Sequence, residues 1–196
     1  MPLATWPLLA LLAVLAYATV TFNRFVALRQ RLANAFSDID VQLKRRWDLV
    51  PALVETVRGY AGHEHETLAA VVAARTAAMA APADPAALPE RGEKEAGLAS
   101  ALRGVFVLVE AYPALKADTN FLELHRGLVT IEDDLQHARR YHNAVVRDLN
   151  TLRQSFPASL VGAAAGIREG EFFQLDHEQR AVPAIDLGTP RPAGGE

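Results

Sequence analysis

From Leu3 to Phe22 no side chain of this chain is charged, and Leu, Ala, Val, Trp and Tyr dominate the run. That leaves few options for it, because about 20 apolar residues is the length a helix needs to cross the ~30 Å hydrocarbon core of a bilayer. Trp6 and Tyr17 lie toward its two ends, where amphipathic rings favour the membrane interface. The competing reading is a cleaved signal peptide, since Ala16-Tyr17-Ala18 has the small-x-small pattern of a processing site. Against it, no basic residue precedes the run, and the run is long for a signal sequence's apolar region. Residues 1–23 are therefore expected to be a retained transmembrane anchor that meets the lipid bilayer through residues 3–22.

The flanks give that anchor a direction. Arg24, Arg29, Arg31, Lys44, Arg45 and Arg46 follow it against Asp38 and Asp40, whereas only Met1 and Pro2 precede it. Basic residues stay on the cytoplasmic side. The expectation is a single-pass protein of the plasma (inner) membrane, with its N-terminus outside and its bulk in the cytoplasm.

The 196 residues leave room for one domain beyond the anchor. After the anchor, apolar residues recur at Phe25, Leu28, Leu32, Phe36, Ile39, Leu43 and Trp47, the three-and-four spacing of a helix with one buried stripe. No turn residue interrupts it before Pro51, so anchor and helix can form one rod. Pro51 lacks the helical N–H and predicts a kink or a fresh start there, with Asp48 as cap. Leu53, Val57, Tyr60, Leu68, Val71 and Val72 continue a stripe. The three prolines between Ala80 and Gly92 predict a loop, Leu98 to Val109 a third helix, and the long stripe from Phe121 to Leu152 a fourth, capped by Asn120 with Glu123. His142 interrupts that last stripe and reads as a hydrogen-bonded core or edge residue.

Four amphipathic helices without any β-type alternation predict an all-α fold: the N-terminal transmembrane helix followed by an antiparallel up-and-down four-helix bundle of long helices. The expected layout is the bundle over 24–157, a packed C-terminal turn over 158–179 and a disordered tail over 180–196, where Pro and Gly dominate.

Arg29-Gln30-Arg31, then Ser37 through Arg46 and Asp48-Leu49-Val50-Pro51, resemble the first signature of the LemA family of bacterial membrane proteins. Leu53 through Ala61 with His63-Glu64 continue it. Tyr112-Pro113, Leu115-Lys116-Ala117 and Asn120-Phe121 are similar to the family's central motif, and Glu132, Ala138-Arg139-Arg140-Tyr141, Asn143, Val145, Asn150 and Phe156-Pro157 to its C-terminal one. One departure stands out: His142 separates Tyr141 from Asn143, which the family usually joins. The resemblance implies a short external N-terminus, a single span and a cytoplasmic helical bundle, and it implies little about biochemical activity.

Composition and motifs bound the chemistry. A net charge of -3 gives no field to draw the chain onto nucleic acid, and the absence of cysteine removes disulfides, thiolate metal sites and a thiol nucleophile. His63-Glu64-His65-Glu66 offers four ligand types in a row, but consecutive helical side chains fan about 100° apart and cannot converge on one ion. Asp134-x-x-His137 is a single pair where a di-metal carboxylate bundle needs two glutamate–histidine pairs plus two more glutamates. Ser37, Ser100, Ser155 and Ser159 lie in no nucleophile elbow, and no phosphate-binding glycine loop is present. No cofactor is expected.

The densest polar patch is Asp38, Asp40, Lys44, Arg45, Arg46 and Asp48. Its plain reading is intrahelical pairing, Asp40 to Lys44 being an acid-first i,i+4 pair. Its functional reading is a docking face. The partner of such a face is another protein or anionic headgroups. In a straight rod Arg45 and Arg46 stand about 35 Å beyond the anchor at 1.5 Å per residue, beyond the Debye length from lipid, which favours an unidentified membrane or cytoplasmic protein. The function expected is thus a non-enzymatic interaction or scaffold protein. The rivals are a membrane-shaping module that self-associates as a homo-oligomer, and a metal-dependent enzyme with a site between helices built from Glu55, His63, Glu64 and His137.

Overall fold

The computed structural model describes residues 5–173. The regular elements among them are all helical: α1 (Thr5–Tyr60), α2 (His65–Ala80), a 3-10 turn (Pro85–Ala87), α3 (Leu88–Val109), α4 (Pro113–Lys116), α5 (Thr119–Gln154) and α6 (Ala158–Ala164). The expected tail over 180–196, and the last residues of the expected C-terminal turn, lie outside the described residues.

The rod forms, and it is longer than expected. α1 runs unbroken for 56 residues with Pro51 inside it, so the predicted restart with Asp48 as cap does not occur. The reason lies in a partner from another helix. Pro51 has no N–H to give the carbonyl four residues back, that of Trp47, and Arg75 of α2 supplies the missing donor, its Nε bonding the Trp47 oxygen at 2.8 Å. With that acceptor satisfied from outside, the helix continues to Tyr60 and breaks only at Ala61–Glu64.

From Trp6 to Tyr17 α1 is exposed along its whole circumference; from Ala18 onward one stripe is covered, beginning with Thr21 and Phe25. The described chain has one helix long and apolar enough to cross a membrane, and it is α1, whose most apolar window is only 11% buried.

Beyond that window α1 packs lengthwise on α5 in antiparallel sense. Tyr60 bonds Asp118 at one end, Arg46 meets Glu132 in the middle, and Phe25 joins Leu149 at the other. Helices α2 and α3 form a hairpin that completes the main core, where Val50, Leu53, Val57, Leu68, Val71, Leu98, Leu102, Leu128 and neighbours interlock. A second cluster unites Ile39, Leu43, Leu88, Leu135 and Phe173.

Two other expectations shift. The loop expected from Ala80 to Gly92 is shorter, because Pro89 sits in the first turn of α3, where a missing N–H costs nothing, and Leu88 is buried. The cap of α5 is Asp118 rather than Asn120: its Oδ1 accepts the Phe121 N–H at 2.9 Å while Oδ2 accepts the Tyr60 hydroxyl, also at 2.9 Å. One carboxylate thereby starts α5 and ties it to the end of α1.

After α5 the chain turns through α6. Gly162 lies against the Phe25 ring, and Gly166, at φ +63°, takes the left-handed conformation that reverses the chain. Residues 167–173 then run back along α5.

Candidate functional site

The predicted docking patch divides into two sides of α1. Asp38, Lys44, Arg45 and Asp48 are exposed. Arg46 is 2% exposed and is therefore no part of an outward face, which corrects its place in the patch. Its guanidinium bonds Glu95 of α3 and, at 3.0 Å, Glu132 of α5. Glu95, fully buried, also accepts the Trp47 indole N–H at 3.0 Å. Asp40, half-exposed, pairs with the buried Arg91 of α3 and not along the helix with Lys44.

A polar layer thus crosses the molecule. α1 contributes Asp40 and Arg46, α3 contributes Arg91 and Glu95, and α5 contributes Glu132 and Arg139. Each helix supplies one cation and one anion, so the layer is neutral as a whole. Arg91 lies over the Phe36 ring at 5.6 Å and Arg139 over the Phe173 ring at 4.8 Å, contacts that offset part of their desolvation. Burial, with Arg46 nearby, lowers the Arg139 pKa.

The returning segment is held by side-chain amides. Asn150 donates to the Gly170 carbonyl at 3.0 Å and accepts its N–H at 2.9 Å. Asn143 does the same with Phe173, at 3.0 and 2.9 Å. Spaced two turns apart on α5, the two asparagines pair with the extended backbone as a neighbouring strand would. Arg153 adds a bond to the Ile167 carbonyl at 3.1 Å.

Among the residues that carry the sequence resemblance, Asp40, Arg46, Glu132, Arg139, Asn143 and Asn150 are ones that tie separate parts of the fold together. The family's pattern matches residues 35–187. This chain belongs to the LemA family. It is also similar to two proteins of Paramagnetospirillum magneticum, magnetosome protein MamQ 2 and magnetosome protein MamQ 1. Each is 23% identical over 188 residues, covering 85% of this chain and 69% of the relative. Protein LemA of Metamycoplasma hominis is 23% identical over 167 residues, covering 85% of this chain and 73% of its own.

The structure also locates the other candidate residues of this LemA-family chain. His63 and Glu64 lie in the α1–α2 turn and His65 opens α2, with Glu64 accepting the Tyr112 hydroxyl at 3.2 Å. Glu55 is exposed on α1 next to Arg58. His137 points outward from α5 onto Arg140, at 2.9 Å. By the Arg46–Glu132 pairing level, His137 lies roughly 20 Å along the axis from Glu55. The four residues of the enzyme rival are not brought together. Among the described residues, no group of three or more histidines and carboxylates is placed to hold a metal.

His142 is 1% exposed, as a core histidine should be, with Nδ1 3.4 Å from the Asn143 side chain. Burial lowers its pKa, and Asn143 opposes that only in part. At the far end, the Phe121 N–H and the Tyr60 hydroxyl hold the Asp118 carboxyl below its ordinary range, and the same bond raises the Tyr60 phenol.

Proposed function

We propose that this LemA-family chain is a non-enzymatic, membrane-tethered scaffold. On this reading residues 3–22 cross the plasma (inner) membrane once with the N-terminus outside. Helices α1, α2, α3 and α5 then make an antiparallel up-and-down four-helix bundle that presents partner-binding surfaces in the cytoplasm. The observation that carries it is the continuity of α1: the same helix is bare over its apolar first turns and forms one edge of the core further on. An anchor joined this way transmits its orientation to the bundle instead of leaving it on a flexible leash.

The surface proposed for docking is the outward side of α1 carrying Asp38, Lys44, Arg45 and Asp48, with Val41, 48% exposed, among them. Crosslinked pull-down from native membranes tests it. Wild-type chain should recover a protein that the Asp38→Lys/Arg45→Glu/Asp48→Lys variant does not; identical recovery by both removes this face from the reading. For orientation, a reporter active only in the cytoplasm and fused after Glu196 should be active, and a silent but well-expressed fusion would overturn that part.

A further inference from the structure

The end of α1 that leaves the apolar run is not bare. Ala18 is half-buried and Thr21 and Phe25 are buried, in contrast to the turns before them. The cover includes α6, which packs on α1; its Gly162 approaches so closely that a Cβ there would stand 3.0 Å from the Phe25 ring. A groove of about 760 Å³ lies between α1 and the corner joining α5 to α6, lined by Tyr17 and Arg24 on one side and Phe156 and Ala158 on the other. Continuing the antiparallel register set by Arg46 and Glu132, Phe156 falls beside Phe22, at the end of the uncharged run, and the groove it lines extends from there toward Tyr17.

The corner itself is apolar. From Gln154 to Ile167 no residue is charged, yet two large apolar side chains are turned outward, Phe156 at 83% and Leu160 at 64% exposed. A run of about 20 residues needs nearly its whole length to cross a bilayer core, so its end at Phe22 coincides with the core boundary. Outward apolar side chains beside Phe22 then stand at that boundary, within reach of the interfacial zone into which apolar faces embed by about 5–10 Å. Arg24 and Arg31, with Asp148 beside them in the groove, stay on the headgroup side.

We propose that the α5–α6 corner, led by Phe156 and Leu160, inserts into the bilayer leaflet that α1 leaves, so that the protein holds the membrane at two points. The proposal rests on the reading that α1 crosses the bilayer; that reading does not require the corner to touch lipid. A single helix could swivel about its own axis. A second, off-axis contact fixes the rotation of the bundle and hence which helix faces look along the membrane and which look away.

The chain has no cysteine, which allows single-site labelling without background. Full-length Val14→Cys, Phe156→Cys, Leu160→Cys and Val107→Cys variants, spin-labelled in phosphatidylethanolamine–phosphatidylglycerol vesicles, are compared by collision with oxygen and with a water-soluble nickel chelate. Positions 156 and 160 should be shielded in the same sense as position 14, with more oxygen contact than position 107 and at least several-fold less contact with nickel. If 156 and 160 are as open to nickel as 107 while 14 is protected, the corner proposal is overturned and the anchor reading stands. Nickel access at 14 overturns both. Protection at 156 and 160 that vanishes at one copy per vesicle belongs to a second copy of the chain and also overturns the proposal.

Discussion

Replacing Arg46 by Met is the sharpest test of the polar layer. Arg46 and Arg45 are adjacent, equally charged and similar in length, but the first is buried between Glu95 and Glu132 while the second faces solvent. Methionine keeps most of the buried aliphatic volume, so packing loss is small and the electrostatic effect dominates. Glu95, fully buried, would retain only the Trp47 indole as a donor; Glu132, 38% exposed, can be resolvated. Leaving one partner of a buried pair uncompensated costs about 3–5 kcal/mol.

For a domain of this size, with Tm moving about 2–4 °C per kcal/mol, that cost lowers Tm by roughly 6–20 °C. Thermal unfolding of the detergent-solubilised chain, followed by circular dichroism, reads it. Arg45→Met should stay within about 0.5 kcal/mol of wild type, as exposed substitutions do. The Arg46→Met/Glu95→Leu double variant should regain most of the loss, because removing both charges also removes the desolvation cost. Equal Tm values for the Arg46 and Arg45 variants would refute the burial of the pair. A double variant no more stable than Arg46→Met would refute the claim that Glu95's stranded charge is the source.

Three further outcomes follow from particular contacts. Arg75→Met should leave the Trp47 carbonyl without a donor and cost about 1–3 kcal/mol, and Pro51→Ala, which restores an N–H to that carbonyl, should shrink the cost in a double-mutant cycle; no coupling between the two sites would refute the explanation of the unbroken helix. Asn150→Ala should release the Gly170 backbone, seen as faster amide exchange at Gly170, with Asn143→Ala doing the same at Phe173; unchanged protection would show that packing alone holds the segment. Burial keeps the folded-state pKa of His142 below the ordinary 6.5, so the unfolded chain binds its proton first as pH falls. That part of the stability is present above about pH 6.5 and is lost as pH drops toward the folded value. The Tm of wild type should fall between pH 7 and 5.5 more steeply than that of His142→Gln, and parallel profiles would sink the assignment.

The long apolar N-terminal helix, the helical stripes and the all-α class were legible because each rests on local composition or periodicity. The misread places all depend on a partner distant in sequence. Pro51 carries a strong local signal for a break, and what cancels it is Arg75, on another helix. Asn120 has the composition of a cap, but Asp118 wins because it also reaches Tyr60 at the end of α1. In the charged patch the missed signal was phase. Arg46 falls on the buried spacing Ile39, Leu43, Arg46, Val50, Leu53, Val57, and Arg91 and Glu95 fall on the spacing Leu88, Arg91, Glu95, Leu98, Leu102. A charge at a stripe position must find an opposite charge on a facing stripe, and tracing that requirement from α1 to α3 and α5 would have separated Arg46 from Arg45.

That requirement also explains how a core so rich in Ala, Leu and Val keeps one alignment. Apolar stripes of repeating spacing pack nearly as well when one helix slides by a turn, about 5.4 Å. A slide of α3 against α1 would draw Glu95 away from Arg46 and Trp47, and Arg91 away from Asp40, while all but Asp40 remain largely enclosed. The apolar contacts supply most of the stability, and the charged layer makes the displaced alignments costly. On the proposed reading, in which α1 also crosses the membrane, that definition matters further, because an error of one turn at α1 would shift every exposed face relative to the bilayer.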